Sequence, residues 1–209
     1  KWVAPPGDAQ NFAFLYLGTG LGVGLVIGDE VVRGGSGNAG EIGHIVVDPD
    51  GLPCACGMRG CVAVSCAPLP VVEEAERLGV LPAGRECDDP TAVDAALTRL
   101  VQLADDGDEA AEALLRRCGE HIARALAAVS NLLDVDRIVM GGPLWDRVGS
   151  RLAAIIPDIL DDLRAARGVH PVTVFGTDLG SDVGAIGAAC LILDEALTPR
   201  TTSLLVQSA

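Results

Sequence analysis

One histidine and three cysteines stand close enough along the chain to act on a single ion. His44, Cys54, Cys56 and Cys61 read H-x9-C-x-C-x4-C within a glycine-rich stretch. Three thiolates and one imidazole complete the closed tetrahedral shell of a structural zinc ion. Gly57 and Gly60 supply the backbone freedom needed to turn three sulfurs toward one point. Unliganded buried cysteines would sit among apolar neighbours, and this stretch has few. Cys66 reads as a packed thiol, with a fifth metal sulfur as the alternative. Cys118 and Cys190 fall on apolar helical stripes and Cys87 in a polar connector, none with a chemical partner. An odd count of seven cysteines in 209 residues argues for a metal site in a cytoplasmic protein rather than for a disulfide scaffold.

Two glycine-rich turns form a second group. Leu17–Gly24 (LGTGLGVG) sets the Thr19 hydroxyl between Gly18 and Gly20, where backbone amides can face an anion. The segment lacks the lysine of a Walker loop and runs into a strand, so neither the P-loop nor the dinucleotide motif fits, and a ligand-free hairpin is equally consistent. Gly141-Gly142 follows a buried run and reads either as a ligand contact or as a strand end that needs positive φ.

The elements that must position these residues follow from hydropathy. Asn11–Leu17 is apolar on both faces, as a central covered strand would be. Leu21–Ile27 alternates bulky residues with Gly22, Gly24 and Val26, and Gly28-Asp29 predicts a hairpin into a third strand over Glu30–Arg33. Residues 34–61 are too rich in glycine and proline for regular structure apart from a short run at Ile45–Val47. Helical periodicity covers Leu69–Leu78, Thr91–Leu103, Asp108–Leu133, Leu144–Ala166 and Asp182–Ala196, with strands at Arg137–Met140 and Val172–Phe175. A three-strand meander followed by alternating helices and strands predicts an α/β lobe with a mixed sheet and flanking helices.

Composition narrows the partners. Fifteen Lys and Arg against twenty-nine Asp and Glu give a net charge of −14, a field that repels nucleic acid and anionic lipid. No run approaches the length of a membrane helix. Hydrophobic residues make up 49% of the chain and aromatics 3%, so the core is built from small aliphatic side chains around 26 glycines.

Gly18-Thr19-Gly20-Leu21-Gly22, Ala39-Gly40-Glu41-Ile42-Gly43-His44, Cys54-Ala55-Cys56-Gly57-Met58-Arg59-Gly60-Cys61 and Ile138-Val139-Met140-Gly141-Gly142 together resemble the ROK family of repressors, open reading frames and sugar kinases. The resemblance implies the second lobe of an actin-like, ribonuclease-H-like ATPase fold over residues 11–198. Residues 1–10 would be a linker or surface loop and 199–209 a tail. It further implies that His44 binds zinc and faces a sugar, that Glu41 holds sugar hydroxyls, and that Thr19, Gly20, Gly141 and Gly142 contact ATP in a kinase. Zinc on one ring nitrogen would fix the imidazole tautomer and leave the other N–H for a hydroxyl. Two departures stand out. Ala63 occupies the place of a further sugar-binding glutamate, and the family's first lobe, with its catalytic aspartate, would lie before Lys1.

The leading expectation is therefore the sugar-sensing, homodimerising part of a ROK transcriptional regulator that reaches DNA through an upstream helix-turn-helix. This reading needs no ATP and no catalytic residue. The competing expectation is the C-terminal lobe of an ATP-dependent sugar kinase, favoured by the Thr19 turn and Gly141-Gly142. A zinc-stabilised structural lobe without ligand is the third.

Overall fold

The computed structural model describes residues 11–84, 89–165 and 168–197. Cys87, the linker at 1–10 and the tail at 199–209 lie outside these residues. Among the described residues, five strands form one sheet: β1 (Phe12–Leu17), β2 (Leu21–Ile27), β3 (Glu30–Val31), β4 (Arg137–Gly141) and β5 (Thr173–Gly176), in the order β3-β2-β1-β4-β5. β1 pairs antiparallel with β2 and parallel with β4, and β4 pairs parallel with β5, giving the expected mixed sheet.

The helices are α1 (Val62–Cys66), α2 (Pro68–Arg77), α3 (Pro90–Asp105), α4 (Glu109–Leu133), α5 (Trp145–Leu163) and α6 (Val183–Leu197). α4 starts where its sequence says it should. The Asp108 carboxylate accepts from the amides of Ala110 and Ala111, and Glu109 and Glu112 add negative charge to the first turn. It ends at Asp134, which takes the left-handed conformation at φ 53°.

The period of two along β1 divides its side chains between the faces of the sheet. Ala13, Leu15 and Leu17 are buried together with Ile138 and Met140 of β4, beneath Ile122, Leu126 and Val129 of α4 and Leu152, Ile156 and Leu160 of α5. The first half of α4 closes a second core with α2 and α3, built on Val72, Leu97, Leu100, Leu114 and Leu115. Among the described residues, no helix is long and apolar enough to cross a membrane.

Three expectations need correction. The third strand stops at Val31, although Val32 still donates to the Leu25 carbonyl, because the chain turns away through Gly34 at φ 73°. Ile45–Val47 forms no strand. A single 3-10 turn spans Ile42–His44, and Val46 makes only an isolated bridge to Cys61. α1 was not anticipated. Its five residues are too few to show a period, and Ala67 is extended ahead of Pro68, which separates α1 from α2.

Candidate functional site

Gly40 anchors the turn that carries Glu41 and His44. The Val23 amide of β2 donates to the Gly40 carbonyl at 2.9 Å, and the Ile42 amide donates to the same oxygen at 2.8 Å. Gly40 has φ 98°, and a Cβ there would lie 1.7 Å from the Val23 carbonyl oxygen, so the approach of loop to strand requires glycine. Ile42 and Gly43 then bury while Glu41 and His44 stay exposed. The Glu41 carboxylate makes no cap bond to the turn that follows it, which leaves it available to another partner.

The cysteine loop folds back on itself through backbone bonds. Bridges pair Val46 with Cys61 and Pro53 with Arg59. The Cys54 amide donates to Met58, the Gly57 amide to Cys54, and the Val47 and Asp48 amides to Gly60. Gly60 has φ 63°, and a Cβ there would fall 1.4 Å from the Asp48 carbonyl oxygen.

This fold gathers the four predicted ligand atoms within 4.8 Å of one another. The Cys54 Sγ lies 3.5 Å from the His44 Nδ1, and the Cys56 Sγ lies 3.6 Å from the Cys61 Sγ. A zinc–sulfur bond of about 2.3 Å in tetrahedral geometry sets ligand atoms about 3.8 Å apart, so two opposite edges already have nearly the length a zinc shell would impose. The donor set and its spacing fit the metal. Without metal the thiols diverge. Burial pushes the Cys61 thiol up to about 12, with contributions from the neighbouring Cys56 and Cys54. A hydrogen bond from the Met58 backbone holds Cys56 below the ordinary value. Cys66 stays outside the cluster as a packed thiol, donating to the Cys118 carbonyl at 3.5 Å, and Cys118 and burial raise it well above the usual range.

Ala63 sits in α1 against the His44 turn. A Cβ on Gly43 would meet the Ala63 Cβ at 3.4 Å and the Leu21 carbonyl oxygen at 3.7 Å. Leu21 is the first residue of β2, directly after the turn that bears Thr19. In that turn the Gly18 amide donates to Gly20 at 3.0 Å and Thr19 is exposed.

Gly141 and Gly142 arrive at the same end of the sheet, because parallel pairing sets Gly141 beside Tyr16. Gly142 has φ 115°, and a Cβ there would lie 2.3 Å from the Leu17 carbonyl oxygen. The Leu144 amide donates to that oxygen at 3.2 Å. Gly142 is thus required by the meeting of β1 and β4, and the two glycines stand at the carboxyl ends of parallel strands, the usual ligand position in open α/β sheets. Sequence reasoning missed Trp145 and Thr177 at this edge. The Thr177 methyl would lie 2.3 Å from a Cβ on Gly141, and Trp145 donates its amide to the Gly142 carbonyl at 3.0 Å. The position of Trp145 just after the double glycine was the one available signal.

Comparison with known proteins identifies the family and the fold. A ROK family profile matches residues 1–195. An N-acetylmannosamine kinase of Haemophilus influenzae (strain PittEE) is 29% identical over 187 residues, 90% of this chain and 56% of that protein. The crystal structure of a ROK family glucokinase from Streptomyces griseus, in complex with glucose and AMPPNP, superposes with a TM-score of 0.71 at 27% identity, covering 90% of this chain and 62% of that one. A ROK family transcriptional regulator, a homologue of the E. coli MLC protein, has a TM-score of 0.68 at 24% identity over 81% of this chain and 42% of its own. At that identity the likeness shows the fold alone. The chain spans little more than half the length of these kinases, and it belongs to the ROK family.

Proposed function

We propose that these residues form the sugar-gripping, nucleotide-facing lobe of an ATP-dependent sugar kinase acting on a hexose or N-acetylhexosamine. The observation that carries this reading is the position of Gly43 beside the Leu21 carbonyl. It brings the Glu41–His44 turn against the strand that begins at the Thr19 turn, so the sugar residues and the nucleotide residues share one end of the sheet. The kinase names of the curated relative and of the glucose- and AMPPNP-bound structure support it. The regulator expectation ranks second because its structural likeness reaches only to the fold. Ala63 is the one observation in its favour, since a sensor can respond to a weakly held sugar.

In the proposed site the Glu41 carboxylate accepts hydrogen bonds from sugar hydroxyls. His44 turns Nδ1 toward the cysteines and keeps Nε2–H for a hydroxyl. Zinc held by His44, Cys54, Cys56 and Cys61 would supply a rigid frame rather than a reacting group. Thr19, Gly20, Gly141 and Gly142 face the phosphates and nucleoside of ATP. None of these residues is placed to deprotonate the sugar. The catalytic base belongs to the part of the kinase relatives that this chain does not span. A net charge of −14 suits work on small molecules rather than direct contact with DNA or lipid.

The test is a coupled ATPase assay of the full-length protein against hexoses, N-acetylhexosamines and pentoses, with Ala63→Glu alongside. Sugar-dependent turnover, increased at low sugar by Ala63→Glu, is expected. A folded, zinc-loaded protein that transfers no phosphate to any of them, yet releases operator DNA when a sugar is added, would overturn the kinase reading.

A further inference from the structure

The apolar stripe of α4 gives Cys118 no chemical partner in the sequence, but the fold brings one to it. The Cys66 thiol, on the last residue of α1, donates to the Cys118 carbonyl at 3.5 Å, and the Cys118 thiol donates to the Ser65 carbonyl at 3.6 Å. Each sulfur thus reaches the backbone of the other's helix. The thiols also act on each other directly, since Cys118, together with burial, holds Cys66 well above the ordinary thiol range. Both border one cavity of about 50 Å³, walled by Leu17, Leu97, Leu144 and Val148, where the two hydrophobic cores meet. That space gives the sulfurs room to swing from the carbonyls toward one another. α1 has only five residues, too few to hold a helix by itself, so its position is set at its two ends. At the start, Cys61 belongs to the candidate metal cluster and bridges Val46, and the Val62 amide donates to the Ile45 carbonyl at 2.9 Å. At the other end Cys66 meets α4. Between them Ala63 packs against the His44 turn, 3.4 Å from the place of a Cβ on Gly43. A bond between Cys66 and Cys118 would therefore be felt in the cysteine loop and in that turn.

We propose that Cys66 and Cys118 form a reversible disulfide that locks α1, and with it the cysteine loop, onto α4. The oxidant is a low-molecular-weight disulfide of the glutathione class. Cys66 is the more exposed of the pair, and its thiolate attacks one sulfur of that disulfide and expels the first small thiol. The Cys118 sulfur then attacks the mixed disulfide at the Cys66 Sγ and expels the second. One S–S bond forms in the protein as one breaks in the oxidant, and the two cysteine protons end on the two released thiols. The raised Cys66 thiol keeps the thiolate scarce and the exchange slow, so the lock follows a sustained oxidising environment and not a brief one.

The experiment equilibrates the full-length protein, with zinc present throughout, in mixtures of oxidised and reduced glutathione, and compares wild type with Cys66→Ser and Cys118→Ser. Peptide mapping after alkylation of free thiols identifies the cysteines that have joined. Trypsin cleavage after the exposed Arg59 reports opening of the cysteine loop. Oxidation confined to the loop cysteines occurs in all three proteins and drops out of the comparison. A crosslink between packed elements stabilises enough to shift an opening equilibrium by about tenfold or more. We expect a Cys66–Cys118 peptide pair in oxidised wild type that dithiothreitol separates. Cleavage after Arg59 should be about tenfold slower than in reduced wild type, with no slowing in either variant. Absence of that peptide pair from folded wild type at the most oxidising ratio would overturn the proposal, and so would its appearance with cleavage unchanged. The wild-type map decides the first point even if a serine variant folds poorly. A protein that holds no zinc or transfers no phosphate still gives both readouts, so failure of those readings is distinguishable from failure of this one.

Discussion

Within residues 45–61 the only buried apolar side chains are Val47 and Cys61, and Val46, Leu52 and Met58 stand exposed. Across the sheet, α4 and α5 close over Leu15, Leu126, Ile138, Met140, Ile156 and Leu160, all less than 2% exposed. The helical face is held by burial spread over many contacts. The cysteine loop has no comparable core and is shaped by backbone bonds, two positive-φ glycines and four ligand atoms drawn to one point. A segment built this way would take its folding energy from a metal held by those four atoms. The two regions should therefore fail separately, under different insults.

The largest expected loss of stability lies in the core. Leu126→Ala removes a fully buried side chain where α4 meets the sheet, and should cost about 2–5 kcal/mol in denaturant unfolding. Zinc content of the folded fraction should stay unchanged. Loss of zinc in parallel with stability would show that the two regions are one cooperative unit.

Gly60→Ala attacks the loop instead. Its Cβ would collide with the Asp48 carbonyl, in a backbone conformation that costs a non-glycine residue about 1–3 kcal/mol. Zinc content and loop protection from proteases should fall while the main unfolding transition moves little. A drop in the main transition as large as that of Leu126→Ala would break the distinction.

The loop should also respond to pH, with a sign that depends on whether a metal is bound. In metal-free protein the folded state raises Cys61 from 9.0 to about 12, so the neutral buried thiol stabilises the loop fully below pH 9, and that stability is lost as pH rises toward 12. With zinc bound, protons compete for the thiolates and stability is lost as pH falls. Thiol-reactivity profiles of stripped and loaded protein should slope in opposite directions, and parallel profiles would argue that the four groups hold no metal.

The smallest change in stability is expected from Glu41→Gln. The side chain is exposed and makes no cap bond, so melting should move by less than about 0.5 kcal/mol. Zinc should stay bound while sugar affinity falls about tenfold, as expected when a charged acceptor is lost. Unchanged sugar binding would place the sugar elsewhere.

How much of this was legible follows from sequence distance. The four ligands lie close together along the chain, and their types name the chemistry before any fold is known. α4 was legible because its apolar stripe is long and Asp108 caps it. α1 was not, since five residues carry no period. The approach of Gly43 to Leu21, the meeting of Leu17 with Gly142 and the seat of Trp145 between Gly149 and Gly176 all depend on the pairing and packing of distant segments, which one sequence does not display. The sensor expectation rests on Ala63 and on the net charge of −14, whereas the proposed kinase reading rests on a sheet edge shared by distant segments and on the kinase names of similar proteins, neither of which one sequence displays.

The central claim is that a metal, in place of a core, holds the turn that grips the sugar. Elemental analysis of protein purified without added metal tests it most directly. One zinc per chain in wild type, lost in His44→Ala and kept in Glu41→Gln, is the predicted result. Zinc well below one equivalent in folded wild type, with all four ligands intact and its cysteines reduced, would contradict it.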